Sequence, residues 1–197
     1  MLRLTVGTVA AEPSRTQEAA ARLIRSWLHT LALALAVIVA LAPISTTQAG
    51  LSGAIFTTNA DSTFVNANVY ENAADVYLNG GPGVNQSCTA ASLPDGDYLF
   101  QVTDPLGQDP LSLDSIDARR LTVLGGIITA STHHTGGPGR CGGVTVQLCP
   151  FKATTNEGDE YKVWVTPVIG FNSAFSRSAS KTDNFKVTGS DFTCSSD

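Results

Sequence analysis

The chain has 197 residues, 43% of them hydrophobic and 15% charged, with 17 acidic and 12 basic side chains. Residues 50–197 hold 15 of the acids and only 8 of the bases, a net charge of −7. That balance argues against nucleic acid and anionic lipid surfaces as partners, since both require Lys and Arg to neutralise phosphate.

The first clear element is Leu31 to Ala42, twelve uncharged residues reading LALALAVIVALA. A bilayer span needs roughly 20 such residues, so this run has the length of a signal-peptide core. Arg22 and Arg25 precede it as a positive n-region, Pro43 ends the helix, and Thr47 and Ala49 stand at the −3 and −1 positions of a cut after Ala49. Residues 1–49 are thus read as an N-terminal extension plus a cleaved signal peptide. A retained anchor from Trp27 to Ile44 is the alternative, and it is weakened by His29, Thr30 and Pro43. The membrane would then be met only through this segment.

Residues 50–188 are long enough to bury one core. Helix-period patterns are absent from them, and short runs rich in Val, Ile, Thr, Phe and Tyr recur between Gly, Pro, Asn and Asp clusters. The predicted strands, in order, are Gly53 to Thr57, Asp75 to Leu78, Tyr98 to Thr103, Leu121 to Thr129, Val144 to Leu148, Tyr161 to Val168 and Asn184 to Thr188. The fourth is expected to bulge at Gly125-Gly126. In the sixth, Tyr161, Val163 and Val165 take one face and Lys162, Trp164 and Thr166 the other, with Pro167 marking its end or an edge. About seven strands fit an all-β, antiparallel sandwich of the immunoglobulin-like or prealbumin-like kind. Residues 131–143 (STHHTGGPGRCGG) are expected to form a long exposed loop. Residues 189–197 form a polar tail, which would fray unless Cys194 holds it.

Four cysteines, Cys88, Cys141, Cys149 and Cys194, follow the export signal, an even number that predicts two disulfides and a secreted product. Three pairings are possible. A local Cys141–Cys149 loop turning at Gly142-Gly143, with Cys88–Cys194 beside it, is the one favoured here. The string Gly-Gly-Pro-Gly occurs at 80–83 and again at 136–139, each time ahead of a cysteine.

Candidate sites are few. His133 and His134 are the only histidines after residue 50, no G-x-S-x-G elbow occurs, and no C-x-x-C spacing supports zinc. No catalytic residue is therefore assigned, and a hydrolase built from these histidines ranks last. A structural calcium is the one cofactor considered. Its oxygen ligands would come from Asp95 and Asp97, from Asp114 and Asp117, or from Glu157, Asp159 and Glu160, none with EF-hand spacing. A sugar-binding face would draw on Trp164 and Tyr98, with Tyr161 and Phe100 near them, although strand aromatics more often pack in cores.

The segments SGAIFTT (52–58), VNANVY (65–70), DVYLNGGPG (75–83), LPDGDYLFQVTDP (93–105), EYKVWVTPV (160–168) and SKTDNFKV (180–187) resemble the N-terminal module of large secreted bacterial proteins. Through it they resemble the prealbumin-like Cna-B and SdrD B-type surface domains. LPDGDYLFQVTDP is the most specific piece, a turn feeding a strand that ends in a second turn. The resemblance implies a non-catalytic structural, adhesion or interaction role outside the cell, with an extracellular protein or polysaccharide as partner. It departs from the family in lacking an early-strand Lys for a Lys–Asn isopeptide bond, so Asn184 is not expected to form one. No LPxTG-like sorting motif is present, so wall anchoring is not expected.

Overall fold

Alternation of β-branched and aromatic residues with polar ones drives the chain into strands, and Gly, Pro and Asx clusters break it between them. A computed structural model describes residues 50–192 and Cys194. The expected signal segment lies outside the described residues, as does the end of the tail. Among the described residues there are ten strands: β1 (Ala54–Thr58), β2 (Val69–Tyr70), β3 (Tyr77–Gly81), β4 (Gly96–Thr103), β5 (Arg120–Leu124), β6 (Ile127–Ser131), β7 (Thr135–Pro138), β8 (Val144–Gln147), β9 (Glu160–Pro167) and β10 (Lys181–Val187). Helix among the described residues is limited to three single turns of 3₁₀ type.

The strands form two sheets, one of four strands in the order β1-β3-β8-β7 and one of six in the order β2-β10-β9-β4-β5-β6. All pairs are antiparallel except β2 with β10. The sheets face each other as a β-sandwich. β1 meets β10 on one side, and β6 meets β3 and β8 on the other. Between them lie Leu78 and Val146 from the smaller sheet and Phe100, Val102, Val163 and Val165 from the larger one, all fully buried.

Two strand-level features differ from the sequence expectation. The run Leu121 to Thr129 is two strands. Gly125 and Gly126 have φ of 63° and 80°, the backbone of a two-residue hairpin turn in which both residues need positive φ. The bulge falls inside the pair instead, between Thr122 and Val123. Residues 131–143 are not one exposed loop: they contain the edge strand β7, where Pro138 sits without costing a central ladder bond. The tail folds back, with Phe192 against Phe151 at 5.9 Å and Gly189 N–H donating to Glu71 O at 2.9 Å.

The cysteines pair as Cys88–Cys141 and Cys149–Cys194, with Cα separations of 5.5 and 5.9 Å. This overturns the favoured Cys141–Cys149 and Cys88–Cys194 arrangement. Cys141 and Cys149 lie on opposite sides of β8, and extended chain rises about 3.3 Å per residue, beyond a disulfide's reach. The Gly-Gly-Pro-Gly strings explain the first bond. One ends β3 and the other runs through β7, both flanking β8, so the cysteine that follows each comes to the same end of the sheet. Arg140 adds to the joint, its Nη1 donating to Gly83 O at 2.8 Å.

Candidate functional site

The two aromatics expected to share a ligand face do not. Successive residues of a strand point to opposite sides, and Tyr98 and Trp164 have opposite parity across the β4–β9 pair. Tyr98 faces inward, 2% exposed, its hydroxyl donating to Pro94 O at 2.6 Å. Phe100 and Tyr161 are in the core as well. Trp164 faces outward but is only 4% exposed.

What covers Trp164 is the loop 104–109. Asp104 organises that loop by accepting the N–H groups of Gln108 (2.6 Å), Asp109 (2.8 Å) and Leu106 (3.1 Å). Those backbone donors hold its carboxyl below the ordinary carboxylate value against a raising effect of desolvation, which is the largest single influence. Gly107 lies flat on the indole: a Cβ there would run into the ring, and its φ of 78° suits glycine. The indole N–H donates to Thr103 Oγ1 at 2.9 Å, while Lys162 lies 5.7 Å from the ring centroid and donates to Pro105 O. Asn184 stands opposite Lys162 in the β9–β10 register.

His134, assigned by sequence to an exposed loop, is 5% exposed. Its Nδ1 lies 2.9 Å from Gln147 O and its Nε2 2.8 Å from Asp114 Oδ2. A carbonyl only accepts, so Nδ1 carries the proton of that bond, while Nε2 faces a carboxylate oxygen of Asp114. Both ring nitrogens are thus occupied by oxygen acceptors, with none left to activate a hydroxyl or thiol. Arg119, 0% exposed, binds the other oxygen of Asp114 through Nε and donates through Nη2 to Leu148 O (2.9 Å) and Pro150 O (2.7 Å). Its guanidinium sits 5.1 Å from the Phe100 centroid. His133 is exposed with a φ of 61°. All four thiols are oxidised, so no thiolate joins either histidine.

The acidic candidates are dispersed among separate structural tasks. Asp95 accepts Gly126 N–H at 2.8 Å and so fixes the β5–β6 turn, while Asp97 accepts the Thr122 hydroxyl at 2.9 Å. Asp114 serves Arg119 and His134, and Asp117 pairs with Arg120 at 3.2 Å. Glu160 pairs with Lys186 at 3.2 Å; Asp159 shapes the turn before β9 with a φ of 52°, and Glu157 is exposed beside it. Among the described residues no three His, Cys, Asp or Glu side chains converge as a metal-binding group.

No protein-family model, curated protein or solved structure matches this chain.

Two open clefts occupy the outer face of the six-stranded sheet. The first, about 430 Å³, has Gln101 and Thr103 of β4 in its lining together with Ile116, Phe171 and Phe175. The two phenyl rings meet edge to face at 5.2 Å and are half-buried. The second, about 530 Å³, lies over β9 and β10 and is lined by Asn66, Asn68, Lys162, Arg177, Thr182, Asp183 and Asn184. Sequence reasoning missed Phe171, Phe175 and Arg177, because they lie in a segment without periodicity. The Asn-rich VNANVY run was the one available signal for the second cleft.

Asp183 also seals a sheet edge. Its Oδ2 accepts Thr57 N–H at 2.8 Å on the unpaired side of β1, and Asn66 N–H donates to Thr57 O at 2.9 Å. These bonds occupy an edge that would otherwise be open to strand pairing. Burial raises the Asp183 carboxyl above its ordinary value of 3.8. Tyr70 nearby is pushed up to about 12, by burial first and by the charge of Asp183 as well.

A pH dependence follows. The native state holds the Asp183 proton more tightly than the unfolded chain does. This group's contribution to stability is therefore full below its unfolded value, and is lost as pH rises through the raised native one. Asp183→Asn keeps an acceptor for Thr57 N–H and removes that loss. The difference in Tm between variant and wild type should widen from pH 4 towards neutrality. A difference that stays flat over this range would contradict the burial argument.

The two disulfides suit an oxidising environment. Among the described residues no helix is long and apolar enough to cross a membrane.

Proposed function

We propose that this chain is an exported, non-catalytic β-sandwich module that acts by binding an extracellular partner, in a structural or adhesion role. The observation that carries the reading is the cleft between β4 and the half-buried Phe171–Phe175 pair. Half-buried aromatic rings over a floor of amide and hydroxyl groups offer apolar area at low entropic cost, together with a few orienting hydrogen bonds. The resemblance to Cna-B-type surface modules belongs to the same proposal. Support comes from the sandwich itself and from the placement of LPDGDYLFQVTDP, which makes the turn into β4 and then the strand. The occupied nitrogens of His134 favour binding over hydrolysis.

A polysaccharide is the partner this cleft favours over an extended protein surface, because a ring pair with neighbouring Gln101 and Thr103 suits one sugar unit with its apolar face and hydroxyls. The test is retention on immobilised cellulose, chitin, xylan and peptidoglycan, comparing wild type with Phe171→Ala/Phe175→Ala. Losing two aromatic contacts, each worth roughly 0.5–1.5 kcal/mol, should weaken retention about tenfold or more. Equal retention by both proteins would discard the cleft, and no retention on any matrix would discard the polysaccharide. Trp164→Ala is the wrong probe, since that ring is packed under the 104–109 loop.

A further inference from the structure

We infer that the second cleft, over β9 and β10, is a binding site for a carboxylated sugar of the uronate type. The inference does not rest on the aromatic cleft. Its lining is almost wholly polar, with three amides (Asn66, Asn68, Asn184), the Thr182 hydroxyl, the cations Lys162 and Arg177, and the carboxylate of Asp183. At about 530 Å³ it lies within the range of small-molecule sites. A cleft with so little apolar surface offers nothing to a hydrophobic ligand, whereas paired amide donors and acceptors match sugar hydroxyls.

The polar groups are held ready and unspent. Asn66 and Asn68 have φ of 58° and 60°, a left-handed backbone that costs a non-glycine residue free energy. Asn in such turns commonly bonds to its own local backbone. Here the backbone does the holding instead: Asn66 N–H donates to Thr57 O at 2.9 Å, and Lys186 N–H donates to Asn68 O at 2.8 Å. Among the described residues the side-chain amides of Asn66, Asn68 and Asn184 and the guanidinium of Arg177 have no hydrogen-bond or ion-pair partner.

Charge decides the ligand class. Residues 50–197 carry a net charge of −7, yet this cleft brings together two of their eight cations. Arg177 is free to receive a carboxylate through its planar fork. Lys162 spends one of its three N–H groups on Pro105 O and adds positive potential from the floor. The opposing charge, Asp183, is turned towards Thr57 N–H. A carboxylate at Arg177, with ring hydroxyls on the asparagines, engages the unpartnered guanidinium and amides of the cleft.

The experiment is calorimetric and NMR titration of the folded, disulfide-bonded chain with a short galacturonate oligomer and with the same oligomer reduced to its neutral form. Two variants of this cleft accompany it, alongside Phe171→Ala/Phe175→Ala. Arg177→Gln removes the fork. Asn66→Gly/Asn68→Gly removes two amides where glycine fits the backbone better, so that its Tm should not fall. The expected result is saturable binding of the galacturonate oligomer, at least tenfold weaker for the neutral oligomer and for both variants. Absence of binding, or wild-type affinity in both variants, would overturn the inference. So would a loss confined to Phe171→Ala/Phe175→Ala, which would place the sugar in the aromatic cleft. Binding that survives in that variant while failing in Arg177→Gln supports the site over β9 and β10, whatever becomes of the aromatic cleft.

Discussion

Arg119→Ala should destabilise the sandwich by about 3–5 kcal/mol, the range for removing one partner of a buried charge pair. For a domain of this size that corresponds to a fall in Tm on the order of 10 °C. The guanidinium is fully buried, and four groups depend on it. Asp114 loses the cation on one of its oxygens and is left with His134 alone. The carbonyls of Leu148 and Pro150 lose their donor, and the Phe100 ring loses the group stacked beside it. Burial pulls the Arg119 guanidinium down in pKa and Asp114 opposes that pull, so neither charge sits comfortably without the other. Arg119→Lys should fall between wild type and Ala, since a point charge cannot reproduce the forked contacts with both Asp114 and the two carbonyls. Denaturant melts of the three proteins decide the matter. A loss below about 1 kcal/mol for Ala would mean that the Asp114–His134 contact alone holds this region.

The second large effect is expected from Cys149→Ser/Cys194→Ser. The bond closes a chain separation of 45 residues, for which loop-closure entropy gives about 4 kcal/mol. Packing adds to it. Phe192 sits against Phe151 and Tyr161, beside the stacked Tyr161–Phe185 pair at 5.2 Å, and the disulfide holds the tail in that cluster. Release should therefore change the near-ultraviolet circular dichroism of the aromatic residues as well as the denaturation midpoint. Stability unchanged within about 1 kcal/mol would show that the tail stays docked by its side chains alone. The Cys88–Cys141 bond closes a similar length, 53 residues, but joins a loop to the edge of the smaller sheet, so its loss should leave that aromatic signal intact.

The candidate site was legible only in part. Trp164 was placed correctly on the face opposite Tyr161 and Val163, because parity along a strand is a local property. That the same face would be roofed by residues 104–109 was not legible. The covering depends on Asp104 folding its own loop and on Gly107 of that loop meeting the indole of Trp164, a contact between residues far apart in sequence. His133 and His134 look equivalent in the chain, yet one is exposed and the other buried between Asp114 and Gln147. Only the β7–β8 pairing separates them. The arginine that matters most for this cluster carries no motif, and its role appears only when β8 and the segment after it run past Arg119.

The sequence by itself determined the all-β class and the position of most strands, because two-residue periodicity and Gly, Pro and Asx turns act over a few neighbouring residues. Tertiary structure alone decided the cysteine pairing, the split at Gly125-Gly126, the burial of His134 and Arg119, and the two clefts on the outer face. Each of these depends on which strands lie side by side. That order is chosen by burying one common core, and no local stretch of the chain contains it.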